Sequence, residues 1–295
     1  MRPSTRLLIL TTPPIILTYT THRYLSILEA KYPPIDPTTT TSLALRTPSN
    51  PTTQHCPEID VYEAKHIPVK SLLKRYSTLL QSKHTNTHDS TTTNKATLTN
   101  AWILTFLNTK PLLVESSLIG LIKNKSYSPG DTGVTDPEFI PTSIPTDTST
   151  YISTFKSIFI TPKPQNPAYY PIEQEKRSDR SLLNSVFTIQ QTSPTTGLLL
   201  SWHMPDEPRL FFEKIARWGY PWRLMSGGRH ELNISEVYIY QGEEVVDVRF
   251  ASAHDYQIIS DEEQKQKIIP AWVGRLHRGY ARALVDWAVR DLNDA

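Results

Sequence analysis

One cysteine, Cys56, occurs in 295 residues. No intramolecular disulfide can form, and a cysteine-built zinc site is excluded. Cys56 lies in a Pro/Thr-rich stretch, and no partner near it suggests a nucleophile. Glycine is scarce, 10 residues against 24 prolines. Dinucleotide and nucleophile-elbow glycine patterns are missing, which weighs against dehydrogenase and hydrolase chemistry. The pair Gly227-Gly228 fits no phosphate loop. No His-Glu-x-x-His run or clustered His/Asp set stands at ligand spacing, so neither a metal nor a cofactor is expected. Charge of one sign is also lacking. A net charge of +2 is not the concentrated basic excess of a nucleic-acid binder, and no nucleic-acid partner is expected.

Long apolar runs are short of what a membrane span needs. The N-terminal block Leu7 to Thr21 falls below the roughly 20 residues of a spanning helix and is interrupted by Pro13 and Pro14. Arg2, Arg6, His22 and Arg23 flank it, and no acid precedes Glu29. Residues 1–31 therefore read as a membrane-associating or targeting segment. An interfacial anchor, a cleaved secretory signal and an organellar targeting segment compete, with membrane association favoured. Residues 32–57 are dense in Pro and Thr and read as a linker, leaving 58–295 as one folded domain.

Within that domain, alternation marks a strand at Ile59 to Ala64, and helical spacing marks His66 to Leu80. Residues 84–99 are polar and read as an exposed insertion. Leu98 to Ile122 is apolar, with Pro111 splitting it into two elements. A turn-rich loop, 126–145, leads to an expected strand at Phe155 to Ile160. Hairpins are expected at 186–204 and, more clearly, at Glu231 to Ala251 around Gln241-Gly242. Between them Asp206 to Gly219 reads as a helix burying Leu210, Phe211, Ile215 and Trp218. His254 to Ile259 is a further strand or the continuation of the last one past a bulge at Ser252-Ala253. The chain closes with Pro270 to Leu292, an amphipathic helix. Its apolar face carries Val273, Leu276, Tyr280, Ala283, Leu284 and Trp287, and its solvated face carries His277 and the arginines.

Strands joined by short turns, with helices gathered on one side, imply an α+β layering: a curved antiparallel sheet gripping a long C-terminal helix, with two or three additional helices. On the hairpin 231–251, the helix 270–292 and the element order over 58–292, the chain resembles the helix-grip superfamily. That group includes the START-like domains of the birch-pollen-allergen and aromatase/cyclase types. The resemblance implies a cavity between sheet and helix; no catalytic motif of the superfamily is matched.

Chemistry is expected from three residues facing that cavity. His254 and His203 near strand ends are candidates for moving protons near neutrality, and Tyr280 offers a phenol. The aromatic and basic stretch 217–231 reads either as a helix C-terminus packing its tryptophans on the sheet, followed by a turn, or as a lid hinged at Gly227-Gly228. Trp202, Trp218, Trp222, Arg223, Arg229, His230, Phe250, Tyr256 and Trp287 are the expected ligand-binding residues. The expected partner is a bulky hydrophobic small molecule such as a polyketide, terpenoid or lipid, held by a pocket protein. Its enzymatic form is a cofactor-free cyclase or isomerase of a biosynthetic pathway. A hydrophobic-ligand carrier and a membrane-tethered interaction module are the alternatives. A cavity with convergent His, Arg or Tyr favours the enzyme, a purely apolar one the carrier, and a filled core the module.

Overall fold

A computed structural model describes residues 3–81, 94–123, 126–133, 180–193, 197–263 and 265–294, with backbone alone for 3–15 and 193. The strand expected at 155–160 lies outside the described residues. The fold is α+β, with a curved eight-stranded antiparallel sheet and a long C-terminal helix. Its strands are β1 (Gln54–His55), β2 (Ile59–Pro68), β3 (Ser181–Leu182), β4 (Phe187–Ser193), β5 (Gly197–His203), β6 (Gly227–Ile234), β7 (Tyr238–Tyr240) and β8 (Glu243–Gln257). They run in the order β1-β8-β6-β5-β4-β3, with β2 and β7 also paired to β8.

Strand β8 is the centre. It pairs with β1 and β2 along one edge and with β6 and β7 along the other. Its register with β6 runs unbroken from Ile234↔Val248 to Gly227↔Asp255, so the bulge expected at Ser252-Ala253 is not there. Gln241 and Gly242, both at positive φ, close the β7–β8 hairpin as two-residue turns of the primed type require. The register slips in β2 between Ala64 and Ile67, where His66 takes φ 59°, and in β4 between Ile189 and Gln191.

Alternation assigns the two faces. Tyr62, Leu198, Leu200, Leu232, Val248 and Phe250 point to the helices and join the main core. Helix α5 (Lys95–Leu107) fills that side: Leu98, Trp102, Ile103 and Leu107 are fully buried, and Trp102 Nε1 donates to the Arg249 carbonyl at 3.0 Å. Pro111 divides it from α6 (Lys110–Ile122) as expected, and α4 (Val69–Gln81) starts after Pro68. Helix α7 (Asp206–Arg217) differs from expectation. Leu210, Phe211 and Trp218 are exposed and only Ala216 is buried, so it rides on the surface by its other side.

The last helix, α8 (Ala271–Asn293), buries a stripe of small residues, Gly274, Gly279, Ala281 and Ala288, together with Leu284, Val285 and Leu292. The face expected to be solvated receives α1 (Pro3–Lys31) instead. Gly279 allows the approach, since a Cβ there would stand 2.0 Å from Leu25 Cδ2. Arg275 grips Glu29 at 2.8 and 2.9 Å, Lys31 reaches Asp286 at 2.6 Å, and Arg282 is buried against the Tyr62 ring. Among the described residues no helix is long and apolar enough to cross a membrane.

Residues 32–57, linker-like in composition, are packed as a strap on the outer face of the sheet. Short helices α2 (Pro37–Thr40) and α3 (Leu43–Arg46) lie in it, each capped by the side chain before it, Asp36 and Ser42. Leu45 is fully buried against Val61, Leu199, Ala251 and Ala253. Polar residues of that face fasten the strap. Glu231 takes the Ser42 N–H and hydroxyl, Asn233 donates to the Thr40 carbonyl at 3.1 Å, and Arg229 Nε donates to the Leu45 carbonyl at 2.9 Å. Arg229 also holds Asp255 through both Nη atoms, and the pair is 1% and 2% exposed.

Removing one partner of a buried, bidentate ion pair strands the other charge. Arg229→Met is expected to cost about 3–5 kcal/mol in urea denaturation. Arg229→Met with Asp255→Leu should regain most of that; a double variant no more stable than the single would contradict this reading of the strap.

Candidate functional site

Between the sheet and α8 lies a cavity of about 510 Å³. Phe106, Leu107 and Leu112 of α5 and α6 form one wall, Leu200, Leu232 and Phe250 the sheet wall, and Ala281 and Leu284 the helix wall. Phe106 stacks on Phe250 with ring centroids 4.9 Å apart, closing the end where the helices meet the sheet most tightly. At the opposite end the exposed Ile122, His203 and Pro205 mark the mouth.

Register collects the polar groups at that wider end. Leu200, His230, Ser252 and Asp60 stand in one cross-strand row, and Trp202, Gly228 and His254 in the next. The missing side chain of Gly228 makes this row possible, since a Cβ there would be 2.4 Å from the Ala253 carbonyl oxygen and 2.9 Å from Trp202 Nε1. The glycine pair is thus built into the sheet between β5 and β8 and is not a hinge; of the stretch 217–231, residues 227–231 belong to the central strand β6.

His254 Nε2 lies 2.8 Å from His277 Nε2 and 3.1 Å from the Ser252 hydroxyl. A serine nucleophile relayed through histidine needs the two opposite ring nitrogens, one for the serine and one for the orienting group. Here both partners meet the same nitrogen, so the trio is not a nucleophilic triad. It is a pair of imidazoles with a hydroxyl against them. His230 borders the cavity alone: Nδ1 has no hydrogen-bond partner among the described residues, and the same holds for the buried Trp202 Nε1.

Burial sets the protonation of this cluster. It drives the His254 imidazole down to about 3, helped by the neighbouring His277, and it lowers His277, with Arg278 adding to the effect. His230 is pushed well below the ordinary imidazole value by burial and then by its two histidine neighbours. Near neutral pH all three rings are therefore uncharged and present basic nitrogens. Tyr280, at the α8 wall, donates its phenol to Glu115 of α6, and burial followed by that carboxylate raises its pKa, keeping it protonated.

The expected site residues divide as follows. Trp202, His203, His230, Phe250 and Tyr280 line the cavity. His254 reaches it through His277. Tyr256 borders a smaller pocket behind that pair. Trp287 lies in a surface groove between α6 and α8. Trp218 is exposed, and Trp222 packs edge-on against Tyr220 and Trp272 away from the cavity. Arg223 is buried in an ion pair with Glu262 at 2.8 Å, and Arg229 faces the strap. His277 was missed: only its contact with β8 shows it to be half-buried. Among the described residues no cluster of His, Cys, Asp or Glu could hold a metal ion.

Comparisons with protein-family models, with curated proteins and with solved structures returned no match. The site is therefore interpreted from its own geometry.

A histidine held neutral in the fold has a pKa below its unfolded value, near 6.5. The unfolded chain gains a proton as pH falls past that value while the folded one does not. The stability contributed by His254 is thus intact above about pH 6.5 and declines toward its folded pKa of about 3. The slope is at most about 1.4 kcal/mol per pH unit for one group. Urea titrations between these limits should show a shallower decline for His254→Gln than for the parent; identical slopes would count against a neutral buried His254.

Proposed function

We propose that the protein holds a bulky hydrophobic small molecule in this cavity and acts on it as a cofactor-free cyclase or isomerase. One observation carries the reading: two imidazoles, His230 and His277, border a mostly apolar chamber, and His254 stands directly behind His277 at 2.8 Å. A purely apolar chamber would favour a carrier, and a filled core an interaction module.

The apolar walls and the Phe106, Phe187, Trp202 and Phe250 rings suit a polyketide, terpenoid or similar lipid-like skeleton. An uncharged imidazole beside such a skeleton can accept a proton from carbon next to a carbonyl, whereas the Tyr280 phenol, its proton committed to Glu115, offers only its oxygen as an acceptor. Shape supplies the rest, because cyclisation and isomerisation depend on holding reacting atoms in place. The element order agrees with a helix-grip relationship, which is part of the same proposal.

Membrane association through α1 belongs to it too. Leu25 and Leu28 of α1 are buried against the domain, whereas Ile16, Leu17, Tyr19 and Ile27 are exposed. The buried pair favours retention of this helix over cleavage. A fusion of residues 1–31 to a soluble reporter should partition to membranes; a reporter that stays cytosolic would end both the membrane and the targeting readings.

Native mass spectrometry of the purified chain is expected to show a co-purifying apolar compound, lost when Leu284→Trp fills the chamber. With that compound or its precursor, His277→Gln should lower turnover by about 10²–10⁴-fold while leaving binding within a few-fold. Parent-like turnover in His277→Gln and His230→Gln would remove the enzyme and leave the carrier.

A further inference from the structure

Behind the histidine pair lies a second pocket of about 140 Å³. His277 borders both spaces, whereas His254 borders only the smaller one. The other polar groups of the small pocket are Glu58, just before β2, Asp60 of β2, Tyr256 of β8 and Arg278 of α8. Arg278 Nη1 donates to Glu58 at 3.0 Å, which leaves Asp60 as the carboxyl outside that ion pair. Asp60 pairs in register with Ser252, whose hydroxyl contacts His254 Nε2. Burial raises the Asp60 carboxyl above the ordinary carboxylate value. The space is ample for several waters at roughly 10–15 Å³ each.

We propose that the small pocket is the proton entrance of the ligand chamber, and that His254 is a relay residue which passes protons to and from His277 without touching the ligand. This rests on the chamber being the reactive site. The step balances between neutral tautomers. His277 accepts a substrate proton at Nδ1 and gives up its Nε2 proton to His254 Nε2. His254 then releases its Nδ1 proton to water or to the Asp60 carboxylate. Both rings end uncharged with their tautomers exchanged, and a proton from outside resets them by the reverse route. No oxidant, reductant or metal is required. The charged groups facing the relay are Glu58, Asp60 and Arg278 in the pocket, with Arg229 behind the sheet paired to Asp255. Such a route suits reactions that exchange protons with solvent, as repeated enolisation and dehydration during ring closure do. A pure isomerisation, in which one base returns the same proton, has no use for it.

The test is the exchange with water of the shared Nε2 proton, followed by NMR on the full chain labelled with ¹⁵N-histidine. Gly274→Leu places a side chain in the small pocket, where its Cβ meets only the flexible end of Arg278, at 3.3 Å. Ala281→Phe fills the main chamber instead. Gly274→Leu and Asp60→Asn should slow exchange by about a hundredfold or more, the low side of what a lost proton-transfer partner costs, with Ala281→Phe near the parent rate. Slowing by Ala281→Phe and not by Gly274→Leu, or by neither, would overturn the relay. Binding of 2-naphthol in the same samples separates the two ideas. Binding that Ala281→Phe abolishes, with exchange unchanged in Gly274→Leu, defeats the relay alone. No naphthol binding, with exchange slowed in Gly274→Leu, defeats the chamber reading and leaves the proton route standing.

Discussion

Strand β8 is hydrogen-bonded along both edges for most of its length, and a strand so fixed cannot rotate its side chains from one face to the other. Phe250, Ser252 and His254 are thereby committed to the helices, and Ala251, Ala253 and Asp255 to the strap. A slip of one residue would carry Asp255 and its bidentate arginine into the apolar chamber and put the imidazole under Leu45. The neighbouring strands inherit the same parity through their register. This is why Arg229 and His230, adjacent in sequence, belong to different parts of the molecule.

Two coverings follow from having two faces to bury. The helix side is filled by bulk where α5 presses Trp102 and Phe106 on the sheet, and it is left hollow where α8 presents Ala281, Leu284 and His277. Among the described residues the outer side has no large helix. It is closed by a strap of short capped turns, held through backbone carbonyls and one buried leucine. Hydrogen bonds to a charged group are worth about 1.5–3 kcal/mol each, so Arg229 and Glu231 can order a segment whose own side chains bury little.

Much of this architecture was legible in the residues. Alternation at Val246, Val248 and Phe250, the Gln241-Gly242 turn, Pro111 as a divider and Gly219 as a helix stop all stand where local physics puts them. Local signals failed where a tertiary neighbour decides the outcome. The Thr/Pro composition of 32–57 matches a free linker because its attachments are made by residues almost two hundred positions away. The face of α8 with Arg275, His277 and Arg282 matches a solvated face until α1 and β8 are brought against it. Glycines 227 and 228 match a hinge because sequence does not show the Ala253 carbonyl and the indole that fill their side-chain space. For the site, His254, His203 and Tyr280 could be chosen by residue type and element position. The pairing that gives His254 its partner could not.

The polar end of the chamber is expensive to maintain. A buried donor or acceptor left without a partner costs about 1–3 kcal/mol, and this end has two, His230 Nδ1 and Trp202 Nε1. Three imidazoles kept neutral by burial add an acid sensitivity that Leu or Phe at the same positions would not bring. Apolar side chains would also fill the space and add packing. A fold selected for stability alone has no use for this arrangement, and local conflicts of this kind in natural proteins concentrate at functional sites. On the strap side Arg229 spends its Nε and both Nη atoms on named acceptors, although Asn233 Oδ1 is left without a partner among the described residues.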